Sequence, residues 1–128
     1  MNAALWILQV VLAIIFLWHG WIFVSPPTEL LAVMNALLAG WFRVLLGVAE
    51  ILAAIGLVLP SLTRIQPWFT PLAAAGLMIV MLSASVLHFS RGETSTAITT
   101  VVLFALVTVV AYTRWKIKPI APRVTASA

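Results

Sequence analysis

A single carboxylate interrupts a long apolar stretch of the chain. Glu50 lies near the middle of residues 41–60, WFRVLLGVAEILAAIGLVLP. Placing an acid at the centre of a membrane span costs at least about 2.5 kcal/mol on insertion scales, so we expect Glu50 to face protein or a wet cavity rather than lipid. On a helix, Arg43, Gly47, Glu50 and Ala54 share one face, because three or four residues separate each from the next.

Such an acid could accept a proton, bind a cation or hold the polar group of a lipophilic ligand. It could equally be a structural carboxylate that is neutralised by desolvation or paired with Arg43. Arg43 could bind an anionic or carbonyl group, or it could be an interfacial side chain that reaches toward the headgroups.

His19 and His88 fall at similar depths on two different apolar stretches. Two histidines could ligate a haem, or bind another metal together with a glutamate, but two histidines in a chain are a weak signal. We expect hydrogen bonding in a polar pocket instead and predict no metal site, and we disfavour haem. The predicted ligand-binding residues are Glu50, Arg43, His88, His19, Trp18 and Met81. The predicted structural polar residues are Arg91, Glu93 and Gln9.

The composition indicates that membrane-spanning elements carry these residues. Of 128 residues, 64% are hydrophobic and 8% are charged, which is typical of a polytopic membrane protein. The absence of cysteine excludes thiol–disulfide chemistry and thiolate metal sites within the chain. The net charge of +4 comes from basic residues beside apolar stretches, so membrane topology explains it better than a nucleic-acid partner.

The apolar stretches predict an all-α fold, a bundle of four transmembrane helices in one domain over residues 1–118. The predicted spans are about 3–24, 41–59, 68–88 and 95–112, each long enough to cross the hydrocarbon core. Residues 28–39 are too short to span, so we expect a short helix that lies at the interface or fills the bundle mouth. A polar tail over residues 119–128 is predicted to be disordered and cytoplasmic.

Four spans bring both termini to the same side of the membrane. Five basic residues collect on that side: Arg64, Arg114, Lys116, Lys118 and Arg123. The positive-inside rule therefore predicts cytoplasmic termini, and we expect the bacterial inner membrane as the location. Most ionisable side chains within the spans then fall in the outer half, whereas the cytoplasmic half contributes almost nothing polar except Gln9 and Ser61.

Two segments resemble the DoxX-like family of small four-helix membrane proteins. One is GVAEILAAIGLVLP, residues 47–60, and the other is PLAAAGLMIVMLSASVLHFSRGE, residues 71–93. The chain departs from the family pattern GxxKL, because the residue three positions after Gly20 is Phe23 and not lysine. Glu50, His88 and Glu93 match positions in the family motifs, and the resemblance therefore implies that they are positions of interest.

The resemblance also implies the functional settings to consider. The family takes its name from a subunit of a membrane thiosulfate:quinone oxidoreductase, and another relative is a chaperone that assembles nicotinic receptors. We therefore expect a redox-associated component that holds a quinone-like or lipid-like molecule in an outward-facing pocket. The alternatives are an assembly factor that binds a membrane-protein partner or forms a homo-oligomer, and a small proton-linked transporter. Whether the chain catalyses a reaction, or serves an oxidoreductase as an accessory subunit, is left open.

Overall fold

The computed structural model describes residues 2–124, which form five α-helices and no strand. The helices are α1 (Asn2–Val24), α2 (Thr28–Leu37), α3 (Gly40–Thr63), α4 (Phe69–Ser90) and α5 (Thr94–Tyr112), and a π-helical turn (Thr113–Ile117) extends α5. Within this part of the chain, four helices are long and apolar enough to cross a membrane. The predicted all-α fold with four spans is therefore confirmed, and each bound except the end of α3 lies within two residues of its prediction.

The four long helices form a closed ring. Helix α1 packs against α3, α3 against α4, and α4 against α5, while a smaller contact between α1 and α5 completes the bundle. Its centre contains fully buried apolar side chains such as Phe16, Leu57 and Leu77, yet large apolar residues also cover the outer surface, with Ile79 69% exposed. Because lipid is as apolar as the core, apolar side chains do not distinguish the centre of the bundle from its outer surface. The buried polar groups are more informative about which helix faces point inward.

Helix α3 continues through Pro60 to Thr63, four residues beyond the predicted end of this span at residue 59. Proline has no N–H, so the carbonyl of Gly56, four residues earlier, loses its intrahelical partner. The Thr70 hydroxyl on α4 donates a hydrogen bond to that carbonyl at 3.1 Å, and Ser61 lies 2.7 Å from the same hydroxyl. A neighbouring helix thus satisfies the freed group, which lets the helix pass the proline inside a membrane.

The short helix α2 contains no buried residue. Of the two positions considered for it, filling the bundle mouth is therefore wrong, and its exposure is consistent with an interfacial position. Prolines at 26 and 27 separate it from α1, and the Pro27 carbonyl accepts hydrogen bonds from the backbone of Leu30 and Leu31.

The segment after the π-helical turn runs back over the α3–α4 loop. Arg64 ends α3 in the left-handed conformation (φ 61°), and its side chain donates hydrogen bonds to the carbonyls of Ala121 and Pro122. Residues 119–124 have no regular secondary structure. The predicted disorder of residues 119–128 stays a prediction, and residues 125–128 lie outside the described part.

Candidate functional site

The site begins with a close crossing of α1 and α3. A Cβ atom added to Gly47 would lie 2.7 Å from the Gly20 carbonyl oxygen, and one added to Gly20 would lie 2.7 Å from the Gly47 carbonyl oxygen. Only glycine at both positions lets the two backbones approach this closely, as is typical of helix contacts in membranes. The crossing fixes which side chains of the two helices meet on either side of it.

One turn from Gly47, Glu50 meets His19. The Glu50 side chain is buried at 2% exposure, and its Oε2 lies 2.6 Å from Nδ1 of His19. The imidazole is 46% exposed, and its ring lies against Phe23 with the centroids 4.5 Å apart. The predicted stripe of Arg43, Gly47, Glu50 and Ala54 is buried throughout, so the face of α3 that should point inward does so.

Glu50 does not pair with Arg43, contrary to one of the two roles considered for the carboxylate. In residues 2–124, the carboxylates that contact a basic side chain within 4 Å, Glu50 and Glu93, contact histidines. Arg43 instead donates from Nη1 to the carbonyl of Phe23, one of the last four carbonyls of α1, which lack intrahelical partners. Its Nε is buried without a hydrogen-bond partner in the described residues. Arg43 therefore satisfies a carbonyl at the end of α1, while the Nε donor of the same guanidinium has no partner among the described residues.

His88 and Glu93 form a second pair at the same end of the bundle. Nδ1 of His88 bonds Oε2 of Glu93 across the turn between α4 and α5, with the two side chains 24% and 40% exposed. The two histidines thus take different carboxylate partners, and the described residues contain no hydrogen bond between His88 and the His19–Glu50 pair. Nor does that part of the chain contain a group of three or more His, Cys, Asp or Glu able to hold a metal ion.

The remaining predicted residues separate into surface and core. Trp18 on α1, which precedes His19 in the chain, is 67% exposed. Met81 on α4 is 3% exposed and belongs to the hydrophobic core of the bundle. Arg91 is exposed in the α4–α5 turn. Met81 thus packs in the hydrophobic core, whereas the Trp18 side chain lies at the surface.

A polar cluster that the sequence did not predict lies at the opposite end of the bundle. Arg114, on the π-helical turn, is 3% exposed, and its Nε donates to Oε1 of Gln9 at 2.6 Å. Its Nη1 donates to Oδ1 of Asn2 at 2.9 Å and to the Lys118 carbonyl at 3.1 Å. Gln9 in turn donates to the Leu57 carbonyl at 2.6 Å.

The expectation that this half of the bundle contributes almost nothing polar except Gln9 and Ser61 is therefore wrong. Arg114 was assigned to the positive flank outside the last span, but the π-helical turn carries it inward. The available signal was Gln9 itself, because a lone amide in an apolar helix needs a partner.

The comparisons with known proteins identify one family. A family model described as "DoxX-like family" matches residues 7–110, which covers all four long helices in large part. No curated protein and no solved structure shows a significant match to the chain.

Proposed function

The chain belongs to the DoxX-like family of membrane proteins, and we propose that it holds a lipophilic molecule with a hydroxyl or carbonyl headgroup, of the quinone class, at the His19–Glu50 pair. The ligand reaches this pair from the bilayer, beside α1 and α3. In this role the protein is a redox-associated membrane component that binds a carrier of electrons and protons.

The observation that supports the proposal is the unequal burial of the two partners. Glu50 is enclosed at 2% exposure, but the imidazole that bonds it is 46% exposed on a helix long and apolar enough to cross a membrane. With Nδ1 bound to Glu50, Nε2 has no partner among residues 2–124. A polar nitrogen in hydrocarbon without a partner costs free energy, whereas a ligand headgroup there supplies the missing hydrogen bond.

The pair also suits the chemistry of a quinone or quinol headgroup. When Nδ1–H donates to the carboxylate, Nε2 of a neutral imidazole is an acceptor and can bind a quinol hydroxyl. When the imidazole is protonated, Nε2–H is a donor and can bind a quinone carbonyl, while the charged pair with Glu50 stabilises the cation. The Phe23 ring lies against the imidazole, with the centroids 4.5 Å apart, and offers an apolar surface for the ligand ring.

The sequence predicts a ligand site in an outward-facing pocket. We propose instead that the ligand lies on the membrane-facing side of α1 and α3. We propose that it lies in the outer half of the bacterial inner membrane with both termini cytoplasmic, because the basic flanks favour that orientation.

The alternative role of an assembly factor has weaker support. Small residues on the helices could pack against the spans of a partner. Of four such residues, however, Gly47, Ala54 and Ala74 are buried between the chain's own helices, and Gly76 alone is exposed. Proton-linked transport has no further observation in its favour beyond Glu50.

The test quantifies small molecules that co-purify with the protein in mild detergent, by organic extraction and mass spectrometry. His19→Gln removes the imidazole while retaining a donor for Glu50, and it should lower the bound quinone or hydroxylated lipid about tenfold or more, as expected for loss of one hydrogen bond to a charged group. Glu93→Gln disrupts the other histidine–carboxylate pair and is the matched control, so its ligand content should equal that of the wild type. Equal ligand content in all three proteins, or a wild type that carries no such ligand, contradicts the proposal.

A further inference from the structure

Among residues 2–124, the buried charge of Arg114 has no acidic partner. Its hydrogen bonds go to neutral groups, the side chains of Gln9 and Asn2 and the carbonyl of Lys118. The chain contains no aspartate and three glutamates, at positions 29, 50 and 93. All three belong to the half of the bundle that contains α2 and the α4–α5 turn, remote from the π-helical turn. A cation that is removed from water without a counterion is costly, so an anion is expected close to it.

One donor of the same guanidinium is also unused. Nη2 of Arg114 is buried and has no hydrogen-bond partner among the residues that the structure describes. The Cζ atom of the guanidinium lies over the ring of Trp6, 5.4 Å from the ring centroid and within the range of a cation–π contact. Buried donors in native proteins are nearly always satisfied, so an unsatisfied one requires an explanation, of which a bound ion is one.

An open cavity adjoins this guanidinium. It has a volume of about 470 Å³, and Arg114 forms part of its wall together with Lys118, Arg64, Trp6 and Ser61. Three of these side chains are cationic and none is acidic. The tail segment 119–121 closes one side, and Arg64 holds that segment by its hydrogen bond to the Ala121 carbonyl. The volume lies within the range of small-molecule sites.

We propose that this cavity, which we call the Arg114 cavity, binds an anionic phosphate group. Arg114 contributes a guanidinium with an unused Nη2 donor to the cavity wall, and Lys118 contributes a second positive charge. A phosphate suits the arrangement because guanidinium groups bind phosphate oxygens with favourable geometry and no acidic side chain among residues 2–124 lines the cavity.

Two sources could supply the phosphate. An anionic phospholipid headgroup reaches the cavity from the bilayer, since it lies at the end of the membrane-spanning helices, and basic pockets at that depth bind such headgroups. Free phosphate reaches it from the aqueous side. The same charges recognise both, so the experiment has to separate them.

The experiment uses the full chain in detergent, with bound lipids counted by native mass spectrometry. Phosphatidylglycerol is titrated against phosphatidylcholine as the zwitterionic reference, and inorganic phosphate is tested separately through the thermal unfolding temperature in phosphatidylcholine nanodiscs. Lys118→Gln removes a charge from the cavity wall. Lys116→Gln is its matched control, because it removes the same charge from an exposed residue two positions away that does not line the cavity.

We expect Lys118→Gln to weaken binding of the anionic probe about fivefold, the effect of one basic residue near an anionic headgroup, and Lys116→Gln to leave it within about twofold of the wild type. Arg114→Gln should weaken it further. A response to phosphatidylglycerol alone identifies the lipid as the source, and a response to inorganic phosphate alone identifies the free ion.

Equal losses in Lys118→Gln and Lys116→Gln overturn the proposal, because they would reflect general surface charge. Binding of phosphatidylcholine as tight as that of phosphatidylglycerol also overturns it. The comparison of the two lysine variants decides the matter even if Arg114→Gln fails to fold.

Discussion

Replacing Gly47 with alanine should push α1 away from α3. The added Cβ would lie 2.7 Å from the Gly20 carbonyl oxygen, 2.8 Å from Val24 Cγ2 and 2.9 Å from Phe23 Cβ. The nearest atom belongs to the backbone and cannot rotate away. Ordinary contact begins at 3.4 Å, so the helices must separate by about 0.7 Å at this point.

The energetic cost follows from two opposing terms. Overpacking of this kind costs about 1–3 kcal/mol, and a backbone contact that cannot relax belongs to the upper part of that range. Alanine regains about 0.8–1.0 kcal/mol of helix propensity relative to glycine. We expect a net loss of about 1–2 kcal/mol in the free energy of unfolding for Gly47→Ala.

Gly76→Ala is the matched control, because nothing lies within 4 Å of a Cβ at that position. It gains the same propensity without the clash, so the difference in stability between the two variants isolates the clash at about 2–3 kcal/mol. The measurement is reversible unfolding in mixed micelles by SDS, followed by far-ultraviolet circular dichroism. Equal stability of the two variants would refute the close crossing.

The same displacement should weaken the pair beside the crossing. A separation of about 0.7 Å stretches the Nδ1–Oε2 distance between His19 and Glu50 beyond 2.6 Å and out of the range of a charge-assisted hydrogen bond, about 2.7–2.9 Å. Glu50→Gln should therefore destabilise the Gly47→Ala variant less than the wild type, with a coupling of about 1 kcal/mol in a double-mutant cycle. Strict additivity would show that the crossing does not position the pair.

Two further predictions concern the proline passage and the membrane orientation. Thr70→Val should lower the free energy of unfolding by about 1 kcal/mol, because it leaves the partly buried Gly56 carbonyl without a donor. In a Pro60→Ala background, where a backbone N–H can bond that carbonyl again, the loss should shrink, and an unchanged loss in SDS unfolding contradicts the explanation. Because the chain has no cysteine, Asn35→Cys and Ile65→Cys can each be labelled singly in intact cells with a membrane-impermeant maleimide. We expect Asn35→Cys to react before lysis and Ile65→Cys only after it, and the opposite pattern reverses the proposed orientation.

The sequence by itself determined the class of the protein and most of its helices. Four apolar stretches of span length left little alternative to a membrane bundle, because hydrocarbon admits only structures whose backbone groups are satisfied internally. The inward face of α3 was also predictable, since three- and four-residue spacing assigns Arg43, Gly47, Glu50 and Ala54 to one stripe whatever the other helices do. The end of α3 was not, because a donor on a neighbouring helix decides whether the helix can pass Pro60.

Only the tertiary structure decided which polar groups meet. Spacing along α3 suggested that Glu50 leans toward Arg43, yet the crossing at Gly20 and Gly47 brings His19 to the acid and Phe23 to the arginine. Gln9 and Arg114 are separated by 105 positions in the chain, and their contact depends on α1 and α5 closing the ring. Periodicity within one helix defines a face, whereas the partner of that face is set by close approach between helices, which a single sequence does not encode locally.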